Sequence, residues 1–446
     1  MAGRPYFNTI VRMKILRYFF ALILPLCPGL ARAADGRALD QLPGYEGFAP
    51  AAAPQPAREL KEWTIMVYMN GKNDLYNYAL KDLNEMEAAG APAGVNLVVE
   101  AGRRAYVPPP PPSANNPWGI PNIPGFPGMM SGAKNAPSWS GIRRYLMQKD
   151  EAPSDVTSQV LQEFNGDMGD WNHLAEFGLW AKSRFPARRY MLVVWNHGSG
   201  WKSVSLDAQL KGISYDDETR NYITGVQLGQ ALAKMGGVDV YASDACLMQM
   251  AEVAYELKDK ARVIVGSEET APADGWPYDY FLEGLRAAPL TAENIAAAAV
   301  RGYNQYYTEA GDKTTISALR TGSLAALKTM TDSWAAAAMA SGDRTGLKAA
   351  RNDTKTFKDI ESKDFVHFLT LSAEKSSSPE VKAKSRELAA FISSRVVFQN
   401  AVTGDAYRSA RGLGIYMPYT IPDTAYNELA WAKAGRWFEF INWIQK

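Results

Sequence analysis

The chain has 446 residues, and its 48 basic and 47 acidic side chains give a formal net charge of +1 at neutral pH. This balance excludes nucleic-acid binding through a general basic field. Length and an apolar content of 47% suit a globular protein with one large or two medium-sized domains. After the N-terminal segment, no apolar run is long enough to span a membrane.

The N-terminal segment has the organisation of a secretory signal. Scattered basic residues precede a short apolar run at residues 18–30, and the small-x-small sequence Ala-Arg-Ala follows at 31–33. This order predicts a signal peptide over residues 1–33 that is cleaved near its end, with export to the periplasm or the exterior. Retention or lipid anchoring is the alternative, but the bulky Leu26 before Cys27 disfavours a lipoprotein signal.

Cleavage there would leave 43 basic and 47 acidic residues and one cysteine, Cys246. The mature protein could then form no internal disulfide. A single thiol in an exported protein is either a reactive group or a buried and inert small hydrophobe.

Residues 34–60 are rich in Ala, Pro and Gly, which predicts a flexible lead-in. Beyond them, short apolar runs alternate with segments of helical periodicity, an order typical of a mostly parallel sheet sandwiched by helices. Asp74 and Thr224 are expected to cap helices. The predicted strands are 63–70, 95–101, 142–147, 190–201, 238–243 and 261–269, and the predicted helices are 74–89, 170–184, 224–236 and 245–257.

Two segments interrupt this alternation. Residues 107–137 contain too many prolines for a helix or sheet interior, so we predict a surface insertion, with partner binding as the alternative. Residues 202–222 are polar and predict a loop.

The pattern becomes mainly helical after about residue 285. We therefore divide the chain into a catalytic domain at 61–285 and a mainly helical region at 286–446. Two strand-like pieces in that region should rejoin the main sheet or pair beside it. Its predicted helices are 291–308, 323–340, 379–398 and 425–444, and its predicted strands are 314–320 and 412–418.

Two predicted strands end in reactive residues, His197 and Cys246. Function collects at the carboxyl ends of parallel strands, so loops from adjacent strands could bring an imidazole to a thiol. A histidine can take the thiol proton and later protonate the leaving amine. Cys246 is also expected at a helix start, where the helix dipole would lower its pKa. The N–H groups of Gly198 and Cys246 are candidate oxyanion donors.

The other histidines are weaker candidates. His173 is expected in the first turn of a helix, exposed to solvent, and His367 on an apolar helix as a satisfied core or interface residue. Three histidines and one mature cysteine offer no recognisable zinc ligand set, so no metal is predicted.

These features resemble the caspase-like clan of cysteine peptidases, and most closely the clostripain-type family. Together they spread from about residue 61 to 418, and the proline-rich segment at 107–137 is a departure from the pattern. The stretches that carry the resemblance are WTIMVYMNGKNDL, RRYLM, LVVWNHGSGW, SDACLMQMAEVAYEL, VGSEETAPADGWPY and GLGIYMP.

The resemblance implies a caspase-like fold and a Cys–His dyad with no obligatory third member. Cys246 would be the nucleophile and His197 the general acid/base. It also implies cleavage after Arg or Lys, with Asp244 and Asp274 as the carboxylates of the specificity pocket. The alternatives are a local turn or helix cap for Asp244 and an ordinary turn residue for Asp274.

The resemblance further implies self-processing in the loop between the two active-site strands. Lys202, Lys211 and Arg220 are candidates, and we prefer the Lys211-Gly212 bond. Calcium dependence occurs in the family, and residues 216–218 could bind calcium, although a solvated acidic loop is the favoured interpretation. No cofactor is expected to be required.

The expected function is an exported cysteine endopeptidase that cleaves proteins or peptides after Arg or Lys through a thioester. One alternative is a transpeptidase that uses the same dyad. Another is a non-catalytic binding protein on the same fold, although such a protein would usually have lost the cysteine, the histidine or a pocket carboxylate.

Overall fold

The computed structural model describes residues 60–104, 139–152, 155–201 and 212–446. These residues form one compact unit. The predicted signal peptide, the lead-in up to residue 59, the insertion at 107–137 and the processing candidates Lys202 and Lys211 lie outside the described residues. Across the described ranges, no helix combines the length and the apolar character needed to cross a membrane.

The strands of the described residues form a central nine-stranded sheet and two small two-stranded sheets. The strands are β1 (Lys61–Gly71), β2 (Val95–Arg103), β3 (Gly141–Leu146), β4 (Val160–Phe164), β5 (Ala187–Trp195), β6 (Ile213–Asp216), β7 (Asn221–Ile223), β8 (Val238–Asp244), β9 (Ala261–Gly266), β10 (Thr315–Arg320), β11 (Ser362–Asp364), β12 (Val397–Val402) and β13 (Gly414–Tyr416). The order in the main sheet is β12-β10-β9-β8-β5-β1-β2-β3-β4. The five central strands are parallel and the strands at both edges are antiparallel.

Helices cover both faces of this sheet. They are α1 (Tyr76–Ala89), α2 (Trp171–Arg184), α3 (Gly225–Lys234), α4 (Ala251–Leu257), α5 (Tyr278–Gly284), α6 (Ala292–Ala310), α7 (Leu324–Ser341), α8 (Arg344–Asp353), α9 (Phe365–Lys375), α10 (Pro379–Phe391), α11 (Ala430–Lys433) and α12 (Trp437–Trp443). The predicted mostly parallel sheet sandwiched by helices is therefore confirmed. Thr224 forms a capping box at the start of α3, as its position before that helix predicts.

The alternating direction of side chains along the central strands explains why the sheet has an apolar core on each face. On β1, Met66 and Tyr68 pack into one apolar core, whereas Ile65 and Val67 pack into the other. Successive side chains of a strand point to opposite faces, so a strand buried on both sides is apolar at almost every position. Helices α1, α5 and α6 cover one core, and the remaining helices contribute to the other.

The two strand-like pieces of the helical region behave as predicted. β10 joins the main sheet beside β9, and β13 pairs with β11 in a small sheet of its own. Because β10 and β12 complete the main sheet, residues on both sides of position 285 contribute to both apolar cores. The predicted domain boundary there stays a prediction.

Two predictions of local structure are wrong, and a third is correct except at its end. The polar segment predicted as a loop contains the hairpin of β6 and β7. The predicted helix 379–398 ends two residues early, because β12 begins at Val397 and no Gly or Pro marks the change. The predicted helix 425–444 is broken into α11 and α12, with Gly435 between them.

Candidate active site

The two reactive residues follow neighbouring parallel strands. β5 and β8 pair directly, with Trp195 opposite Asp244, and His197 and Cys246 each lie two residues beyond those positions. The loops touch at Gly198, where an added Cβ would lie only 2.5 Å from the carbonyl oxygen of Cys246. A glycine at this position therefore lets the histidine loop pack against the cysteine loop.

Cys246 lies in a turn, and the prediction that it begins a helix is wrong. Helix α4 starts only at Ala251, and Leu247 between them has a positive φ of 61°. This left-handed backbone separates the cysteine turn from the helix, so the helix dipole does not act on the thiol as expected.

The surroundings of the half-buried thiol disfavour its charged form. Burial raises the pKa of the Cys246 thiol, and the negative charges of Glu269 and Asp244 raise it further. The N–H of Ala271 donates to Sγ at 3.3 Å and opposes this shift only in part. The thiol of the resting protein therefore needs a base before it can act as a nucleophile.

His197 has a carboxylate partner that the sequence assigned to another role. Its Nε2 lies 2.7 Å from Oδ1 of Asp74, and both side chains are about two-fifths exposed. The hydrogen bond from His197 lowers the pKa of Asp74, so the carboxylate is ionised and accepts the proton of Nε2–H. Nδ1 is then the ring nitrogen with a lone pair available to act as a base.

The expected role of Asp74 as a helix cap is wrong. Leu75 occupies the N-cap position of α1 without a side-chain cap, and its N–H donates instead to Oδ1 of Asn73 at 2.9 Å. The carboxylate of Asp74 is thereby directed to His197. A capping aspartate and a histidine partner look alike in sequence, because both are acidic residues just before a helix.

Asn196 fixes the start of the histidine loop. Its side chain donates to the carbonyl oxygen of Asn70 at 2.5 Å and accepts from the N–H of Tyr215 at 2.7 Å. The loop after β5 is thus tied to the end of β1 and to the β6–β7 hairpin. Sequence reasoning missed this anchor, although Asn196 directly precedes the histidine.

The two predicted pocket carboxylates differ in exposure. Asp244 is only 4% exposed, and its carboxylate accepts from the N–H of Trp276 at 3.1 Å and from the hydroxyl of Tyr278 at 3.1 Å. Burial raises the pKa of Asp244 to about 7. Asp274 lies two residues before Trp276, in the loop that follows β9, and is 44% exposed, with Nζ of Lys81 3.8 Å from its Oδ1. The buried Asp244 thus supports this loop through hydrogen bonds, and Asp274 lies at the surface of the loop.

Residues from the C-terminal region form another wall beside the cysteine. Cys246 packs against a small cluster to which Leu247, Phe357 and Ala410 belong. Glu269 ties this wall to the loop after β9, because it accepts from the N–H of Lys358 at 2.9 Å and from the hydroxyl of Tyr407. Sequence separations of more than 80 residues hide these contacts, although Glu269 lies in one of the stretches that carry the resemblance.

The other two histidines have structural partners. The expectation that His173 is exposed is wrong, since its side chain is 14% exposed and its Nε2 lies 2.7 Å from the buried Glu100, which also pairs with Arg144. Burial lowers the pKa of His173, but the hydrogen bond and charge of Glu100 more than offset this and raise it overall. Nδ1 of His367 accepts from the N–H of Lys355 at 2.9 Å, which fits its expected role as a satisfied histidine.

The acidic segment at 216–218 is only in part the solvated loop that the sequence favours, because Asp217 and Glu218 are exposed whereas Asp216 is buried. Asp216 is 1% exposed, and Nζ of Lys72 lies 3.4 Å from it and 2.7 Å from Glu218. Asp217 pairs with Arg104 at 3.6 Å. Within the described ranges, no group of three or more His, Cys, Asp or Glu side chains could hold a metal ion.

Gly212, directly after the preferred processing site at Lys211, is buried. Its N–H donates to Oγ of Ser199 at 3.0 Å, two residues after His197. The residue on the carboxyl side of the candidate bond is thus hydrogen-bonded to the loop that carries His197.

Comparison with known proteins identifies the family. A family model described as the clostripain family matches residues 67–434. Clostripain from Hathewaya histolytica is 29% identical over 150 residues, which covers 31% of this chain and 28% of that protein's length.

Solved structures share the fold at low sequence identity. A secreted C11 cysteine protease from Bacteroides thetaiotaomicron, solved with an irreversible peptide inhibitor, is 17% identical with a TM-score of 0.60, covering 84% of this chain and 99% of that one. An inactive zymogen C11 protease from Parabacteroides distasonis is 20% identical with a TM-score of 0.57, covering 84% and 98%. The sheet, the helices on both its faces and the family match agree, and the chain belongs to the clostripain family of cysteine peptidases.

Proposed function

We propose that the protein is an exported cysteine endopeptidase that hydrolyses peptide bonds after Arg or Lys, with Cys246 as nucleophile and His197 as general acid/base. The contact between the two loops carries most weight, because Gly198 packs directly against the backbone of Cys246. This contact supports a shared site for the imidazole and the thiol at the carboxyl ends of β5 and β8.

The chemistry begins with proton transfer from Sγ of Cys246 to Nδ1 of His197. The thiolate attacks the carbonyl carbon of the scissile bond, and the carbonyl oxygen becomes an oxyanion. The imidazolium then protonates the leaving amine, and a thioester remains on Cys246. Water, deprotonated by His197, attacks the thioester, releases the carboxylic acid and restores the thiol.

The charge of each tetrahedral intermediate needs preorganised donors. We assign this role to the N–H groups of Gly198 and Cys246, which belong to two loops in contact. The raised pKa of the thiol fits this scheme, because the proton is removed only when His197 accepts it.

Specificity for Arg or Lys is assigned to the loop that follows β9. Asp274 offers a half-exposed carboxylate that can bind a guanidinium or ammonium group directly. Asp244 lies beneath Gly275 and adds negative charge to the pocket when it is ionised, while also holding the loop in place. A substrate cation would favour that ionised form.

Export follows from the predicted signal peptide at residues 1–33. Self-processing at Lys211-Gly212 is proposed because a lysine there fits the acidic pocket and Gly212 is bonded to the histidine loop. The substrates would be proteins or peptides with Arg or Lys at the cleaved position.

Hydrolysis of matched peptide reporters tests this function. The set carries Arg, Lys, Asp, Asn or Ala at the cleaved position and is offered to the mature protein and to Cys246→Ala and His197→Ala. We expect cleavage after Arg or Lys only, with kcat lower by about a thousandfold or more in either variant.

Cleavage after Asp or Asn would remove the proposed roles of Asp244 and Asp274 and leave the dyad intact. Undiminished cleavage by a folded Cys246→Ala protein would overturn the nucleophile assignment. A processed, folded protein that cleaves none of the reporters would favour a binding role.

A further inference from the structure

We propose that Lys81 is a specificity-determining residue. It is the internal counter-ion of the acidic pocket, and a substrate cation must replace Lys81 as the ion-pair partner of Asp274. This inference rests on the proposed function, because it concerns the pocket assigned to the Arg or Lys side chain. Neither the family match nor the sequence pattern assigns a role to this lysine, which lies in the middle of helix α1.

Lys81 is held between two carboxylates of different elements. Its Nζ is 2.6 Å from Oε1 of Glu85, one turn along α1, and 3.8 Å from Oδ1 of Asp274. The lysine side chain is 37% exposed and that of Asp274 is 44% exposed, so solvent and ligands reach both. The ring of Tyr306 lies beneath the ammonium, 5.9 Å from ring centroid to Nζ.

Glu85 is the stronger of the two partners of Lys81, and it also helps to hold the loop that follows β9. Its second carboxylate oxygen accepts from the N–H of Tyr278 at 3.1 Å. Burial lowers the pKa of Lys81, but the hydrogen bond and charge of Glu85 more than offset this and raise it. Lys81 is therefore a permanent cation beside the pocket, and it can stay with Glu85 when its weaker contact with Asp274 is given up.

Buried carboxyl groups lie close to this surface pair. Asp82, the next residue of α1, is fully buried, and its Oδ2 accepts from Nε1 of Trp195 at 2.6 Å. Among the described residues, its other carboxylate oxygen has no hydrogen-bond partner. Burial and the charge of Asp244 raise the pKa of Asp82, which favours the neutral form of this carboxyl group.

Helix α1 thus contributes to the pocket together with the loop after β9. A guanidinium or ammonium bound by Asp274 would lie close to Lys81, and the like charges would repel one another through a partly solvated space. Lys81 would reduce the affinity for every basic side chain. It would also reject weakly bound cations that cannot form the paired hydrogen bonds of a well-placed guanidinium.

Cation binding tests this without relying on catalysis. The titration uses Nα-acetyl-arginine methylamide and the Cys246→Ala protein, with and without Lys81→Met. Removing one nearby positive charge should lower Kd by about five- to tenfold. Lys81→Arg, which keeps the charge, should leave Kd near that of the parent.

Lys384→Met is the matched control. Lys384 also forms an i,i+4 pair with a glutamate, on α10, and its side chain is 31% exposed. Its replacement should not change Kd. If Lys81→Met does not fold, as judged by thermal melting, Lys81→Gln makes the same removal of charge.

A Kd that is unchanged or raised in the folded Lys81 variant overturns the inference, as does absence of probe binding in every variant. Reporter hydrolysis by the wild-type protein tests the proposed function separately from the role of Lys81. Cleavage after Arg with an unchanged Kd would refute only the role of Lys81. Tighter probe binding without any hydrolysis would support that role and refute the peptidase.

Discussion

His197 shows how a single side chain gains its role from a neighbour that is distant in sequence. Asp74, 123 residues earlier, accepts from Nε2, so Nδ1 is the ring nitrogen that can take up a proton. The pair is partly exposed, so its contribution to orientation is modest. We therefore expect Asp74 to be a positioning residue for the proposed dyad.

Replacing Asp74 separates this role from helix capping. We expect Asp74→Ala to lower kcat on an Arg reporter by about fivefold, which corresponds to the loss of about 1 kcal/mol of stabilisation of the histidine orientation. Asp74→Asn should lose less, because its amide oxygen still accepts from Nε2–H. Thermal melting should change little in either variant. A lower melting temperature for Asp74→Ala with unchanged kcat would restore the capping role.

The raised pKa of the Cys246 thiol predicts how the resting protein reacts with alkylating agents. Raising a thiol pKa lowers the thiolate fraction at every pH below it, so iodoacetamide should label Cys246 slowly near neutrality. The rate should climb only at a pH above the range in which an ordinary thiol ionises. Cys246→Ser is the control for labelling elsewhere. An inflection near pH 6 to 7 would instead show a preformed thiolate–imidazolium pair and contradict this prediction.

At the scale of elements, the site depends on how closely two loops approach. Gly198 leaves no space for a side chain, because a Cβ there would lie 2.5 Å from the carbonyl oxygen of Cys246 and 3.0 Å from Cβ of Ala245. Both of these neighbours belong to the cysteine turn, which follows β8 directly. The positive φ of Leu247 holds that turn in a conformation that few side chains adopt without strain.

Gly198→Ala should therefore damage catalysis more than stability. The methyl group would push the cysteine turn away and displace a proposed oxyanion donor, so we expect kcat to fall by about a hundredfold. Gly311→Ala is a useful contrast, because an added Cβ there meets no atom within 4 Å, although its φ of 78° adds backbone strain. Full activity in Gly198→Ala would remove this residue from the site.

The whole molecule shows which parts of the structure can be predicted from sequence. The central strands and the order of His197 and Cys246 follow from local apolar runs and the residues that end them. The turn at Cys246 was predicted as helix because ACLMQMAEVAYEL is apolar at helical spacing, and backbone strain leaves no periodic signal. The packing of Cys246 against the cluster that contains Phe357 and the contact of Lys81 with Asp274 depend on tertiary structure, which a single sequence does not encode locally.

Glu252 links the two halves of the chain, and we expect the stability of the protein to depend on pH through it. It lies on α4, and its Oε1 accepts from the N–H of Tyr416 at 3.0 Å and from the hydroxyl of Tyr426 at 2.7 Å. Burial raises the pKa of Glu252 to about 7, from an ordinary value of 4.5. The folded state therefore holds this proton more tightly than the unfolded state does.

The stabilisation that this proton provides is complete below about pH 4.5 and is lost as pH rises towards 7. Its contribution to the free energy of unfolding is on the order of 3 kcal/mol. In Glu252→Gln the amide oxygen can accept both hydrogen bonds, and no proton is lost. We expect melting temperatures of the wild type and Glu252→Gln to diverge by several degrees between pH 5 and pH 8, with the wild type losing more. Any cost of the buried amide is the same at both pH values, so only the change in the difference matters. Parallel melting curves across this range would show that Glu252 is ionised in the folded protein and that the C-terminal region is held by other contacts.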